Sequence, residues 1–286
     1  GMNITSVTLP KTLIRIGHRA FADCGDSFEV HFAGASMIGW EGDSFDEGVD
    51  FQTIYDEALF NNQHWDGNYL YYVMPEAREV MLRGYWYTAI DENGVMEIPS
   101  ETVIDGEIYY VTAIEPGSCE AGSADRLGGH VRRHAEELGW EIEDCEWTYP
   151  KSIVIPETVR YIGERAFADH VYWDEENEVQ FGLETVQFPA TVQFISDNVI
   201  FGNNTILMSF TGLDAYSDTE SSNPYRILDG CLVNTWNEHI LMVYPKGSEA
   251  ETYTTPAGIH GIGYMAFEWA NHLTHVTVSE GVRWLE

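Results

Sequence analysis

The sequence predicts a β-rich α/β repeat architecture: a right-handed solenoid of parallel β-coils with short helical turns and irregular inserts. Two observations predict it. The stretch Ser152 to Phe167, SIVIPETVRYIGERAF, recurs as SVTLPKTLIRIGHRAF at Ser6 to Phe21 and as TYTTPAGIHGIGYMAF at Thr252 to Phe267. It recurs more loosely as TVQFPATVQFISDNVI at Thr185 to Ile200, in the truncated HVTVSEGVRWLE at His275 to Glu286, and in a split copy from Val95 through Pro99 to Cys119. Such self-similarity marks stacked units. Within each copy the apolar residues occupy fixed places that a single unit cannot bury, so each neighbour must cover the next.

One and three residues before Pro10, Pro156, Pro189 and Ser279 stand Leu9 and Val7, Ile155 and Ile153, Phe188 and Val186, and Val278 and Val276. This period of two predicts a short strand with one buried face. The residues between, Thr8, Gln187, Thr254 and Thr277, predict a solvated opposite face, with Val154 the exception. Proline then ends the strand, having no N–H for a ladder. Leu13, Val159, Val192, Ile259 and Val282, then Ile16, Ile162, Ile195, Ile262 and Leu285, are expected to point inward. Gly17, Gly163 and Gly263 predict a tight bend at positive φ. The pairs Ala20-Phe21, Ala166-Phe167 and Ala266-Phe267, replaced by Val199-Ile200 in the fourth copy, predict a helical turn that closes the coil. The expected outcome is one continuous apolar spine with Val7, Ile153, Val186 and Val276 stacked in line.

The pattern xVxhPxxVxxIGxxAF closely resembles the BspA-like leucine-rich repeats. Ile227 to Thr255, with a strand, a DG turn, a strand and a YPKG segment, is similar to what precedes a coil in that family. The resemblance spans residues 1–24, 84–119 and 148–286, and departs from the family at Val199-Ile200 and Ser118-Cys119. It implies a bacterial surface or secreted protein that binds proteins, including adhesion to a host surface or matrix protein.

A single repeat domain over residues 1–286 is expected, with inserts at about 25–83 and 120–147. Apolar residues make up 44% of the chain, enough for a core. The formal charge of -33 repels phosphate backbones and anionic lipids, which argues against nucleic acid and membrane surfaces as partners. No apolar run reaches the length of a membrane span, and no secretory signal is present. Gly1 ahead of Met2 reads as a cloning remnant; a native start at Met2 would place the protein in the cytoplasm, against the family's surface location. Cys24, Cys119, Cys145 and Cys231 lack CxxC spacing and read as free thiols.

In the first insert, Phe28 to Phe32 alternates like a strand, Glu41 to Asp50 is an acidic loop, and Phe51 to Phe60 has helical spacing. Asp66-Gly67 opens an aromatic strand. Gly84 to Ile98 predicts a hairpin across Asp91 to Gly94, and Asp105-Gly106 predicts a second one. Ser123 to Leu138 reads as a helix with Ser123 at its N-cap and Gly139 at its end, and Asp214 to Pro224 reads as a polar loop.

Catalytic chemistry finds little support, and no cofactor or metal is expected. His130 and His134 lie four apart, but Val131 stands where a zinc protease needs glutamate. Asp43, Asp46, Glu47 and Asp50 lack the fixed spacing of a calcium loop. Asp174, Glu175 and Glu176 beside Trp173 supply the parts of a sugar-cleaving site, but in so acidic a chain this proximity arises by chance. What remains is surface. Ser6, Ser152, Thr185 and Thr252 are expected on one line, and Thr8, Thr254 and Thr277 on the next, giving a flat contact face. Trp65, Tyr69 and Tyr71, with Trp40, Tyr85 and Trp86, are candidate contact anchors, weighed against a role in the core of the enlarged coil. The alternative is a carbohydrate-binding or carbohydrate-active protein using aromatic and acidic residues of the inserts. The last copy stops without a capping element, so self-association through that coil is also expected.

Overall fold

The copies make two short strands, one ahead of the proline position and one at the isoleucine position, and those of the 95–114, 152–162 and 252–262 copies both bond their counterparts in the following copy. A computed structural model describes residues 4–10, 13, 15–25, 27–33, 39–40, 42–60, 62–115, 150–168, 171–174, 179–196, 198–202, 204–214, 223–236 and 239–286. The Ser123–Leu138 helix, His130, His134, Cys119, Cys145 and most of the Asp214–Pro224 loop lie outside them.

The leading strands Val95–Glu97, Ser152–Val154, Thr185–Gln187 and Ser209–Thr211 form a parallel ladder in that order. Met96, Ile153, Val186 and Phe210 stand in register along it and are buried. The residue before each proline prolongs the ladder: Ile98 N–H donates to the Val154 carbonyl, and Ile155 N–H to that of Gln187.

The trailing strands form a second sheet. Phe194–Ile195, Tyr161–Ile162, Glu107–Ile114 and Glu79–Tyr85 run parallel, and Tyr69–Met74 and Gln63–Trp65 continue it antiparallel. Both faces of the middle of this sheet are covered. Val80, Leu82, Ile114, Ile162 and Ile195 enter the core shared with the first ladder. The alternate residues Tyr72, Met81, Ala113 and Tyr161 meet Leu9, Ile16, Phe28, Phe45, Phe51 and Tyr55. The Arg15 guanidinium lies 4.8 Å over the Phe194 ring. The N-terminal repeat therefore packs against the flank of this sheet.

That placement corrects the single spine. Ile153 and Val186 are neighbours, but Val7 pairs with Val30 and Val276 with Tyr253, each in a separate two-stranded ladder. The first repeat is drawn aside by the apolar flank, and the hairpin Tyr225–Leu228 with Cys231–Asn234 stands ahead of the last repeats. Its Asp229 and Gly230 adopt φ of 48° and 79°, a tight two-residue turn. Beyond it, Ile240–Val243, Gly261–Ile262 and Trp284–Leu285 are parallel again.

The bend is also shifted. Positive φ falls two residues after the repeat glycine, at Arg19 (52°), Arg165 (53°) and Met265 (57°), and not at Gly17, Gly163 or Gly263. Gly163 and Gly263 instead donate their N–H to Ile114 and Leu241 of the preceding unit. The left-handed residue splits the expected helical turn into two overlapping four-residue turns, closed by Ala166 N–H to Gly163 O and Ala168 N–H to Arg165 O. In the fourth copy Asn198–Phe201 is a short 3-10 helix.

In the inserts, Glu29–Phe32 and the helix Phe51–Phe60 form as predicted, and Asp50 caps the helix by accepting from the Thr53 N–H and hydroxyl. Glu101–Ile104 and Glu107–Ile114 form the Asp105-Gly106 hairpin. The Gly84–Ile98 hairpin reduces to one bridge, Ile90 to Met96, because Glu79–Tyr85 pairs with Tyr69–Met74 instead.

Candidate functional site

The expected hydroxyl face exists in pieces. Ser152 and Thr185 are register partners whose hydroxyls bond at 2.8 Å, and Ser209, not foreseen, extends their row. Thr254 faces Thr277, and Thr252 faces His275. Ser6 and Thr8 lie opposite Glu29 and His31 in the N-terminal ladder. Ser6, Thr8, Thr252, Thr254 and Thr277 are exposed and Ser152 and Thr185 half-buried, so the groups meet solvent on three separate ladders and do not form two continuous lines.

The aromatic anchors are corrected. Tyr69 is 5% exposed and Tyr71 0%, and Tyr85 is also buried, so they build the core instead of a contact surface. Tyr69 Oη donates to the Glu97 carbonyl at 2.8 Å. Tyr71 Oη donates to Asp66 Oδ2 at 3.0 Å, and burial, then the Asp66 charge, push the Tyr71 phenol up. Trp65 and Trp86 are half-buried around Leu70, and Trp40 stacks edge-on against Phe51 and Tyr55. The alternating pattern signals a strand but does not tell which rings a second layer covers.

Asp43 and Asp46 of the first insert tie it back to the first repeat, and Asp50 serves its own helix. His18 is bonded to Asp43 at 2.9 Å and holds its carboxyl low. Asp46 accepts from the Gly25 and Asp23 N–H groups at 2.7 and 2.6 Å, which likewise lowers it. Asp50 is lowered by the Thr53 hydroxyl and N–H. Among the described residues no group of three or more His, Cys, Asp or Glu is placed to hold a metal. A cavity of about 350 Å³ lies between Asp66, Thr88, Asp91, Glu97 and Glu101. Asp66 there accepts from the Asn68 and Tyr69 N–H groups, and Asp91 from those of Asn93 and Val95, whereas the Glu97 and Glu101 carboxylates bond none of the described residues. Trp173 and Asp174 lie in the strand Val171–Asp174, and Glu175 and Glu176 lie outside the described residues.

An exposed apolar strip escaped sequence reading. Val103 (58% exposed), Ile108 (45%) and Tyr110 (48%) share the outer face of the 101–114 hairpin with Glu101, while Thr102 and Tyr109 are buried on its inner face. Alternation in the sequence foretold the hairpin but not which face the core would take.

Parallel strands stacked from repeat to repeat ahead of Pro99, Pro156 and Pro189 are the arrangement expected of a leucine-rich-repeat protein. The family described as BspA type leucine rich repeat region matches in six copies over residues 1–60 and 145–211, and the chain is similar to it there. No curated protein matches the chain. Among solved structures, the chain is similar to the pneumococcal vaccine antigen PcpA at 15% identity and TM-score 0.32, covering 78% of this chain and 66% of that one. A leucine-rich cell surface protein of Faecalibacterium prausnitzii A2-165 matches at 15% identity and TM-score 0.25, covering 78% and 72%. A leucine-rich repeat protein of Bacteroides capillosus matches at 14% identity and TM-score 0.31, covering 76% and 99%. Among the described residues no helix is long and apolar enough to cross a membrane.

Proposed function

We propose that this chain is a non-catalytic protein-binding module whose repeats form one right-handed solenoid over residues 1–286, with inserts at about 25–83 and 120–147, and present their outer strand faces to a host surface or matrix protein. The carrying observation is the outward placement of small hydroxyls on neighbouring strands: Thr254 beside Thr277, and Ser152 beside Thr185 and Ser209. Such a surface offers hydrogen bonds over a broad area without enclosing a small molecule. The family supports a location at the bacterial cell surface. Self-association is proposed through Val278 and Leu285, which are exposed on the last repeat.

Capture of immobilised matrix proteins, run beside a glycan array, tests the reading. The expected result is protein capture that falls about tenfold in a Thr254→Arg, Thr277→Arg variant, as for interface residues worth more than 1 kcal/mol. Binding to glycans alone would overturn it in favour of a carbohydrate-binding protein.

A further inference from the structure

We propose that the hairpin of Glu101–Ile104 and Glu107–Ile114 is a docking edge for an extended, basic segment of a protein partner, which adds to the sheet beside Glu101 and Val103. The proposal rests on the protein-binding reading but uses a different surface from the hydroxyl faces.

The register exposes the edge. Glu101 faces Tyr110, and Val103 faces Ile108. Val111 N–H donates to the Ser100 carbonyl, so the pairs that exchange hydrogen bonds are 100 with 111, 102 with 109 and 104 with 107. The intervening residues must then turn their backbone groups away from the hairpin. Tyr110 does so, donating to the carbonyl of Arg78, just ahead of the neighbouring strand. Its partner Glu101, and Val103 beyond it, direct their N–H and C=O groups to the opposite side, where no described residue bonds them. Folded proteins usually cover or blunt such an edge. Here it is lined by the apolar strip Val103, Ile108 and Tyr110. An added strand would continue the ladder and rest alternate side chains on that strip.

Charge selects the occupant. Glu101 shares the face of the strip and Asp105 stands at its turn, and among the described residues Arg78, ahead of the adjoining strand, is paired with Glu107 at 3.0 Å. The cavity lined by Glu97 and Glu101 opens at the same end, in reach of a lysine or arginine flanking the paired residues. A formal charge of -33 opposes a second copy of this chain at that edge and favours a positive segment.

The test uses the full chain and a capped peptide that alternates valine with lysine or arginine, against a control with proline at each valine. The alternating peptide is expected to bind and to slow amide hydrogen exchange over residues 101–104, and the proline peptide, of equal charge but unable to extend a ladder, is expected not to. Val103→Pro removes an outward N–H without touching a hairpin bond, and it should weaken binding about tenfold, the scale of one lost buried hydrogen bond. Ile108→Lys, which keeps the backbone and opposes the peptide's charge, should do the same if the proline variant fails to fold. No binding, equal binding of both peptides, or full affinity in a folded Val103→Pro variant would overturn the proposal. The Thr254→Arg, Thr277→Arg variant should still bind the peptide. Matrix capture that persists when the peptide fails would leave the hydroxyl faces standing and remove only this edge.

Discussion

The hydroxyl of Tyr225 bonds both backbone groups of Ile195: the Ile195 N–H donates to it at 2.7 Å, and it donates to the Ile195 carbonyl at 3.2 Å. Phe194–Ile195 is the last strand of its sheet, so a side chain completes a ladder that has no further strand. Tyr225 is buried. Tyr225→Phe should therefore strand both groups and lower stability by about 1–3 kcal/mol for each. Urea denaturation measures this, and an unchanged midpoint would refute the capping role.

Gly212 is required on two counts. Its φ is +86°, and a Cβ there would sit 1.9 Å from the Phe188 carbonyl oxygen, the group just before Pro189. Gly212→Ala should destabilise by about 2 kcal/mol or more through strain and a forced backbone shift. Gly42→Ala, whose Cβ would enter open space, should stay within about 0.5 kcal/mol of the parent.

Glu115 is buried with its carboxylate 2.6 Å from Arg83, whose guanidinium also lies 5.0 Å over the Tyr72 ring. Arg83→Met should destabilise, by up to about 3–5 kcal/mol, because the buried charge loses this counter-ion. The double variant Arg83→Met, Glu115→Met should recover most of that loss. A double-mutant cycle on denaturation midpoints decides the matter.

Burial pushes the Cys231 thiol up to about 12 from 9.0, although the Tyr253 hydroxyl at 3.1 Å works against it and the Asp229 charge adds to it. The unfolded thiol loses its proton first, so this contribution is intact below pH 9.0 and declines as pH rises toward about 12. The slope is about 1.4 kcal/mol per pH unit. The parent should lose stability between pH 9 and 11 more steeply than Cys231→Ala, and Cys231 should resist thiol reagents at pH 8 until the chain unfolds.

Legibility followed the range of the interactions. Ile153 and Val186, set by a period of two and a terminating proline, are read from one repeat at a time, and the ladder follows. The side on which Val7 packs is a tertiary choice made by Tyr72, Met81, Ala113 and Tyr161, whose outward apolar residues become informative only once the sheet exists. The shift of positive φ from Gly163 to Arg165 has the same origin: the glycine N–H is claimed by Ile114 of the unit before, so the chain must bend later. For the candidate site, outward hydroxyls were legible at Thr254 and Thr277, whereas the burial of Tyr69 and Tyr71 and the exposure of Val103 depend on which layer covers the sheet.

A linear array whose units touch only their neighbours can fray from one end and keep the rest. This chain is wired differently, since Tyr161 and Phe194, which belong to units more than a hundred residues downstream, have Ile16 and Arg15 as their lid. Melting of the opening segment would strip that lid and wet the middle of the molecule, so the two should come apart in a single cooperative event.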